Sequence, residues 1–263
     1  MKKSFKRLSF EMFPYDFRRF VYSKFRKHQF EILQEMRLID AIGKTNTYKP
    51  FDENKCIFVR IPKSASMSVT MTLFGNISGG HNSIREYQII FSKREFENYF
   101  KFTFVRNPWD RVFSAYNFLK KGGINEGDRI WSSENLESVI DFKDFVTNYL
   151  RKPSIQKHIH FIPQYEFLIS YNNKLAIDFL GFFENIKNDF NYVKKKLSKN
   201  NSILEHINKT NSNEKKKDYT DFYSDEMKDI VEEIYKKDIE LFGYNFDNSS
   251  LERQIEKRDK SLN

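Results

Sequence analysis

CIFVRIPKSASMSVTMTLF, residues 56–74, is the stretch around which the rest of the chain is organised. Cys56 to Ile61 is a short apolar, β-rich run that reads as a buried parallel strand, and Pro62 ends it. Lys63, Ser64, Ala65, Ser66 and Ser68 then supply a turn of small and hydroxylated residues with one lysine. Met67, Met71 and Phe74 follow at helical spacing, so the segment reads as strand, turn, helix. Such a turn leaves the first N–H groups of a helix at the positive end of its dipole, where an anion is favoured. The pattern is not the nucleotide-binding GxxxxGK[ST] loop, because its lysine opens the turn and no glycine lies within it. Taken alone, the stretch is either a phosphate or sulfate cradle or an ordinary strand-to-helix connection.

A chain of 263 residues can form one α/β domain with a sizeable core. Its 45 Lys plus Arg against 36 Asp plus Glu give a formal charge of +9, which suits an anionic partner: nucleotide, acidic glycan, nucleic acid or membrane surface. The single cysteine, Cys56, excludes an intramolecular disulfide and a cysteine-built zinc site, and it fits a reducing compartment. No apolar run approaches a membrane span, and no continuous apolar region follows the N-terminal lysines to make a signal peptide. A cytoplasmic protein is expected.

Residues 1–50 mix basic and aromatic residues with a loose helical period through Phe17, Phe20, Val21, Ile32, Leu33, Met36 and Ile39. They read as a helical arm leaning on the core, or else as a membrane-surface or nucleic-acid arm. Gly79 and Gly80 precede His81 in a loop that brings an imidazole close to a partner. FKFTFV, residues 100–105, is a second buried strand, and it runs directly into RNPWDRVFSAYNFL. There Asn107 can cap, Pro108 suits the first helical position and Asp110 adds first-turn charge, so a helix begins just after Arg106. Arg106 thus sits at the carboxyl end of a strand, the edge at which open α/β sheets bind ligands. Ser114 lies two helical turns on, where its hydroxyl can share an anion with Arg106; the alternative makes Arg106 a helix ion-pair residue and Ser114 a packing residue.

Residues 120–133, with Gly122, Gly123 and Gly127, read as a loop of an acceptor cleft. Asp141 caps a helix. His158 and His160 have the spacing of a metal pair but no evident third ligand, and loop histidines are the favoured reading. Leu175 to Phe183 is a third strand-like run, followed by a helix with Ile186, Phe190, Val193 and Leu197 inward. Ser224 caps a last helix that stops near Gly243, and the chain from 247 to 263 reads as a polar, frayed tail.

Taken together and in order, IPKSASMSV, GGH, FKFTFVRNPWDRVFSAY, HFIPQYEFL, DFLGFFEN, INKT and EEIYKKDIELFGYNF resemble the carbohydrate-type sulfotransferases (family 2-like) that use 3′-phosphoadenosine 5′-phosphosulfate (PAPS). The resemblance covers roughly residues 56–246, which sets a sulfotransferase domain over 51–246 between the arm and the tail. It implies an α/β fold, a parallel sheet flanked by helices and related to the P-loop nucleotide kinases. It further implies that Lys63, with Ser64, Ala65, Ser66, Met67 and Ser68, meets the 5′-phosphate, that Arg106 and Ser114 hold the 3′-phosphate, and that His81 is the general base. Lys209 and Thr210 resemble a segment that folds over the cofactor. Phe182 stands where the family often has arginine.

Sulfuryl transfer is an in-line displacement in which charge grows on the leaving nucleotide, as in phosphoryl transfer, so a lysine and a helix N-terminus are suited to it and no metal is required. An imidazole with an ordinary pKa of about 6.5 can take the acceptor's proton near neutral pH. The expected partners are a carbohydrate or glycolipid acceptor and a peripheral membrane contact through the arm, with no nucleic acid; the nucleotide product is adenosine 3′,5′-bisphosphate. The competing readings are a nucleotide kinase of related fold and a non-enzymatic basic module for nucleic acid or membrane.

Overall fold

The computed structural model describes residues 10–40, 46–204 and 218–262. They form two compact units: residues 62–64, 105–164 and the C-terminal segment from 209 make up the second, and the remainder makes up the first.

The first unit is built on a three-stranded sheet of β1 (Cys56–Val59), β2 (Phe100–Val105) and β3 (Phe179–Phe182), in that spatial order. β1 and β2 run parallel, in register from Cys56 opposite Phe100 to Val59 opposite Thr103. Every residue of β1 is buried, as a strand covered on both faces requires. Phe58 stacks on Phe102 with ring centres 4.8 Å apart, and Gly181 in β3 is needed because a Cβ there would lie 2.5 Å from the Phe104 ring. The third strand is shorter than the apolar run Leu175–Phe183: Leu175 instead makes an isolated bridge with Ile169, and Phe183 opens a 3₁₀ turn.

Helices α1 (Tyr15–Phe25) and α2 (Lys27–Glu35) make up the N-terminal arm. Tyr15 Oη donates to the Phe91 carbonyl at 3.0 Å, Arg19 Nε to Ile89 and Gln34 Nε2 to Ile90, both at 3.0 Å. Arg37 pairs with Asp52 at 2.7 Å and with Glu95 at 2.6 Å, which holds the Glu95 carboxyl down near 2 despite its partial burial. The crossover between β1 and β2 carries α3 (Ser66–Phe74), α4 (Ile84–Ile90) and α5 (Lys93–Asn98). The last two each begin with a reciprocal cap, Ser83 with Glu86 and Ser92 with Glu95, which is why residues 84–98 form two helices. α3 starts as the sequence predicts but buries Val69, Thr70 and Leu73, while Met67, Met71 and Phe74 are half-buried.

The second unit is helical. α6 (Pro108–Lys120) begins at the Asn107 cap, whose side chain accepts the Trp109 N–H at 3.0 Å, with Pro108 in the first turn. Residues 120–133 are not all loop: α7 spans Glu126–Leu136, because Asn125 accepts the Asp128 N–H at 2.9 Å and two acids occupy the first turn, where one glycine is tolerated. Asp141 caps a short helix that widens into a π-turn at Phe145–Tyr149, burying Phe142, Phe145 and Val146. After α8 (Ile186–Lys196) of the first unit comes α9 (Asp225–Phe242), capped by Ser224 and ended by Gly243 in the left-handed region. The residues expected to fray form α10 (Leu251–Leu262): Gln254 is buried and donates to the Phe242 carbonyl at 2.8 Å, and Ser250 Oγ donates to the Gly243 carbonyl at 2.9 Å.

Candidate active site

The turn after β1 has the backbone that an anion cradle needs. Lys63 and Ala65 both have positive φ, 69° and 60°, and α3 begins immediately after them. Ala65 occupies the N-cap position and offers no side-chain acceptor, so the helix start lacks the usual capping oxygen. Ser64 and Ser66 are buried hydroxyl residues.

Within the second unit the structure brings Lys63 and Arg106 together: Arg106 Nη1 donates to the Lys63 carbonyl at 2.9 Å. Arg111, fully buried one turn further along α6, donates from Nε to the Pro62 carbonyl at 3.0 Å and from Nη1 to Ile162 at 2.9 Å. Its Nη2 is buried without a hydrogen-bond partner among the described residues. Three cations therefore converge on the turn. Lys63 Nζ sits 3.8 Å from the centre of the Phe118 ring, and burial, reinforced by the Arg106 and Arg111 guanidinium groups and opposed by Asp128, pushes its pKa down to about 8. A lysine so strained in its charged form favours an incoming anion.

Arg106 is also held by its own helix, with Nε and Nη2 each 2.7 Å from an Asp110 carboxylate oxygen. The ion-pair reading of this arginine is thus realised, and it fixes the guanidinium beside Lys63. Gln164 locks the backbone below: Oε1 accepts the Arg106 N–H at 2.9 Å, Nε2 donates to the Arg106 carbonyl at 2.7 Å, and the Gln164 N–H reaches buried Asp238 at 2.7 Å. Ser114 is half-buried on α6.

Ala65, Ser66, Met67, Ser68 and His81 belong to the first unit. His81 follows Gly79, whose φ of +71° and closeness to Phe51, 2.4 Å from where a Cβ would stand, explain the glycine. Arg60 Nη1 donates to the Ser78 carbonyl at 2.9 Å, and His81 Nδ1 meets the Arg60 carbonyl at 2.7 Å. A carbonyl only accepts, so Nδ1 carries the proton and the basic nitrogen of the neutral ring is Nε2. Lys209 and Thr210 lie outside the described residues. Phe182 is buried at the end of β3, its N–H bonded to Asp189 at 2.7 Å; an aromatic ring fills the position of the common arginine.

Sequence reasoning missed Arg111 and Gln164. The second arginine of RNPWDR was the one available signal for the first, since five residues after Arg106 it turns to the buried side of the helix. Gln164 carries no local signal, because its partners are Arg106 and Asp238.

A model of the sulfotransferase family matches residues 46–245, and the chain belongs to that family. Carbohydrate sulfotransferase 11 of Rattus norvegicus and of Mus musculus are each 24% identical to it over 193 residues, which is 66% of this chain and 54% of theirs. An uncharacterised protein of Archaeoglobus fulgidus is 31% identical over 105 residues, 40% of this chain and 72% of its own. The chain thus spans about half the length of the two carbohydrate sulfotransferases it resembles. No solved structure matches it.

Proposed function

We propose that this protein transfers a sulfuryl group from PAPS to a hydroxyl of a carbohydrate acceptor, a glycan or glycolipid, with residues 51–246 as the transferase domain in a fold related to the P-loop nucleotide kinases. The observation that carries the proposal is the hydrogen bond from Arg106 Nη1 to the Lys63 carbonyl, together with the Arg106 guanidinium's part in lowering the Lys63 pKa. The clustering of Lys63, Arg106 and Arg111 within the second unit, with the Arg106 guanidinium oriented by Asp110, fits a phosphate-bearing ligand.

When bound, PAPS supplies an activated sulfonate on a good leaving phosphate. Lys63, Ser64, Ala65, Ser66, Met67 and Ser68 would receive the 5′-phosphate end, through the ammonium, hydroxyls and the N–H groups at the start of α3. Arg106 and Ser114 would receive the 3′-phosphate, with Asp110 and Gln164 fixing the arginine. As the sulfuryl group passes in line to the acceptor hydroxyl, Lys63 would balance the negative charge that grows on the departing 5′-phosphate oxygen. His81 Nε2 takes the acceptor's proton. Lys209 and Thr210 complete the cofactor contacts in this reading. No described helix is long and apolar enough to cross a membrane. Exposed Phe20 and Phe25 flanking Lys24 on α1 support a peripheral membrane contact for a protein working in the cytoplasm.

The test is transfer of radiolabelled sulfate from PAPS to a panel of glycans and glycolipids, together with thermal stabilisation by adenosine 3′,5′-bisphosphate compared with magnesium ATP. Labelled acceptor and preferential stabilisation by the bisphosphate are expected. Stabilisation by magnesium ATP alone, with no labelled product, would return the chain to the kinase reading.

A further inference from the structure

Asp128, His158 and His160 of the second unit contact no substrate in the transfer proposed above, although Asp128 bears on the charge of Lys63, and one ligand atom from each lies within 4.8 Å of the others. The third ligand that the His158–His160 spacing lacks in the sequence is supplied by α7. Asp128 stands in the first turn of that helix, and its Oδ2 accepts the Ile124 N–H and the Asn125 Nδ2–H, each at 3.1 Å, which fixes the carboxylate. Gly123 makes room for it: a Cβ at Gly123, where φ is +69°, would lie 2.1 Å from the Asp128 Cβ. The two imidazoles are also held. Trp131, also on α7, stacks on His158 at 3.8 Å between ring centres, and Phe118 packs against His160 at 5.2 Å. The His158 and His160 rings are 5.1 Å apart and within 20° of parallel. His158 Nδ1 is buried with no hydrogen-bond partner among the described residues, an arrangement that is costly if nothing binds there.

We propose that Asp128, His158 and His160 form a binding site for a divalent transition metal of the zinc class, next to Lys63 but outside the sulfuryl-transfer step. Two imidazole nitrogens and one carboxylate oxygen suit zinc, nickel or copper, and the nitrogen ligands count against magnesium and calcium, which take oxygen. Zinc bonds of about 2.0–2.2 Å require the three atoms to close by on the order of 1 Å, a movement shared among the three side chains. The ion would tie α7 to the turn that holds His158 and His160. It would also engage the carboxylate that supports the charged form of Lys63.

The site does not depend on the sulfotransferase reading, so its test is binding and not turnover. Calorimetric titration of the chelator-treated full chain with zinc chloride is expected to give one zinc per chain, with affinity falling ten-fold or more in Asp128→Asn and in His158→Ala. Zinc should also protect His158 and His160 of the unaltered protein from diethylpyrocarbonate, mapped by mass spectrometry, which needs no variant to fold. Absence of zinc binding to the unaltered chain, binding unchanged in folded variants, or modification of both histidines at the same rate with and without zinc would overturn the proposal. So would variants that lose sulfate transfer in a protein that binds no zinc, which would give the cluster to the acceptor instead.

Discussion

Lys63 carries the most specific expectation of any residue. Burial and its arginine neighbours lower its pKa from 10.5 to about 8, so in the free protein its charge is lost within reach of ordinary buffers. kcat/KM for PAPS should fall above pH about 8 and this alkaline limb should vanish in Lys63→Met, whose residual turnover should be about 100- to 1,000-fold lower. The same shift has a stability consequence. Its folded-state pKa lies below the unfolded one, so the unfolded chain holds the proton more tightly. The penalty is therefore present in full below pH about 8 and is relieved as pH rises toward 10.5. Urea unfolding of the free protein across that window should show a rise that is absent in Lys63→Met. For His81, replacement by Ala should lower kcat by about 100-fold or more while leaving bisphosphate affinity intact; near-normal turnover in a rate assay would remove the base assignment.

At the scale of elements, the strand-turn-helix at 56–74 and the helix start after Arg106 were legible because each is decided by neighbours in sequence. The apolar run, Pro62, and the Asn107, Pro108 and Asp110 start are local signals, and local signals survived folding. What was not legible depends on residues far apart. α7 is masked in the sequence by three glycines around its Asn125 cap. α10 was hidden by its charge; one buried Gln254 and a few half-buried residues hold it down. The grouping of Asp128 with His158 and His160 crosses a gap that no spacing rule covers. Asn107 illustrates both sides: its Oδ1 cap was predictable, but its Nδ2 also donates to the Asn245 carbonyl at 2.8 Å and to Asn248 Oδ1 at 2.7 Å. Asn107→Ala should therefore cost more than an ordinary cap, about 2–3 kcal/mol by urea denaturation, since buried partners are left unpaired as well. A loss below about 0.5 kcal/mol would show that these contacts do not hold the element.

At the scale of the whole molecule, a formal charge of +9 is shared by all the functional readings and chooses among none of them. The local arrangement does distinguish them. A basic module for nucleic acid should lose most of its affinity for any polyanion as salt rises, in proportion to the phosphates neutralised. A site built from the turn at Lys63 and a fixed Arg106 should weaken with salt but keep its preference for adenosine 3′,5′-bisphosphate over adenosine 5′-phosphate, because Asp110 orients the guanidinium that supplies the charge and Gln164 holds the Arg106 backbone. Equilibrium binding of both nucleotides at low and at physiological salt would show whether that preference persists.

The central claim, that Lys63 and Arg106 serve two phosphates of one nucleotide, is tested most directly by calorimetric titration of the protein and of Arg106→Met with adenosine 3′,5′-bisphosphate and with adenosine 5′-phosphate. The unaltered protein should bind the bisphosphate more tightly by at least ten-fold, and Arg106→Met should lose that margin while binding adenosine 5′-phosphate nearly as before. Equal binding of the two nucleotides by the unaltered protein, or an equal loss for both on replacing Arg106, would contradict the claim.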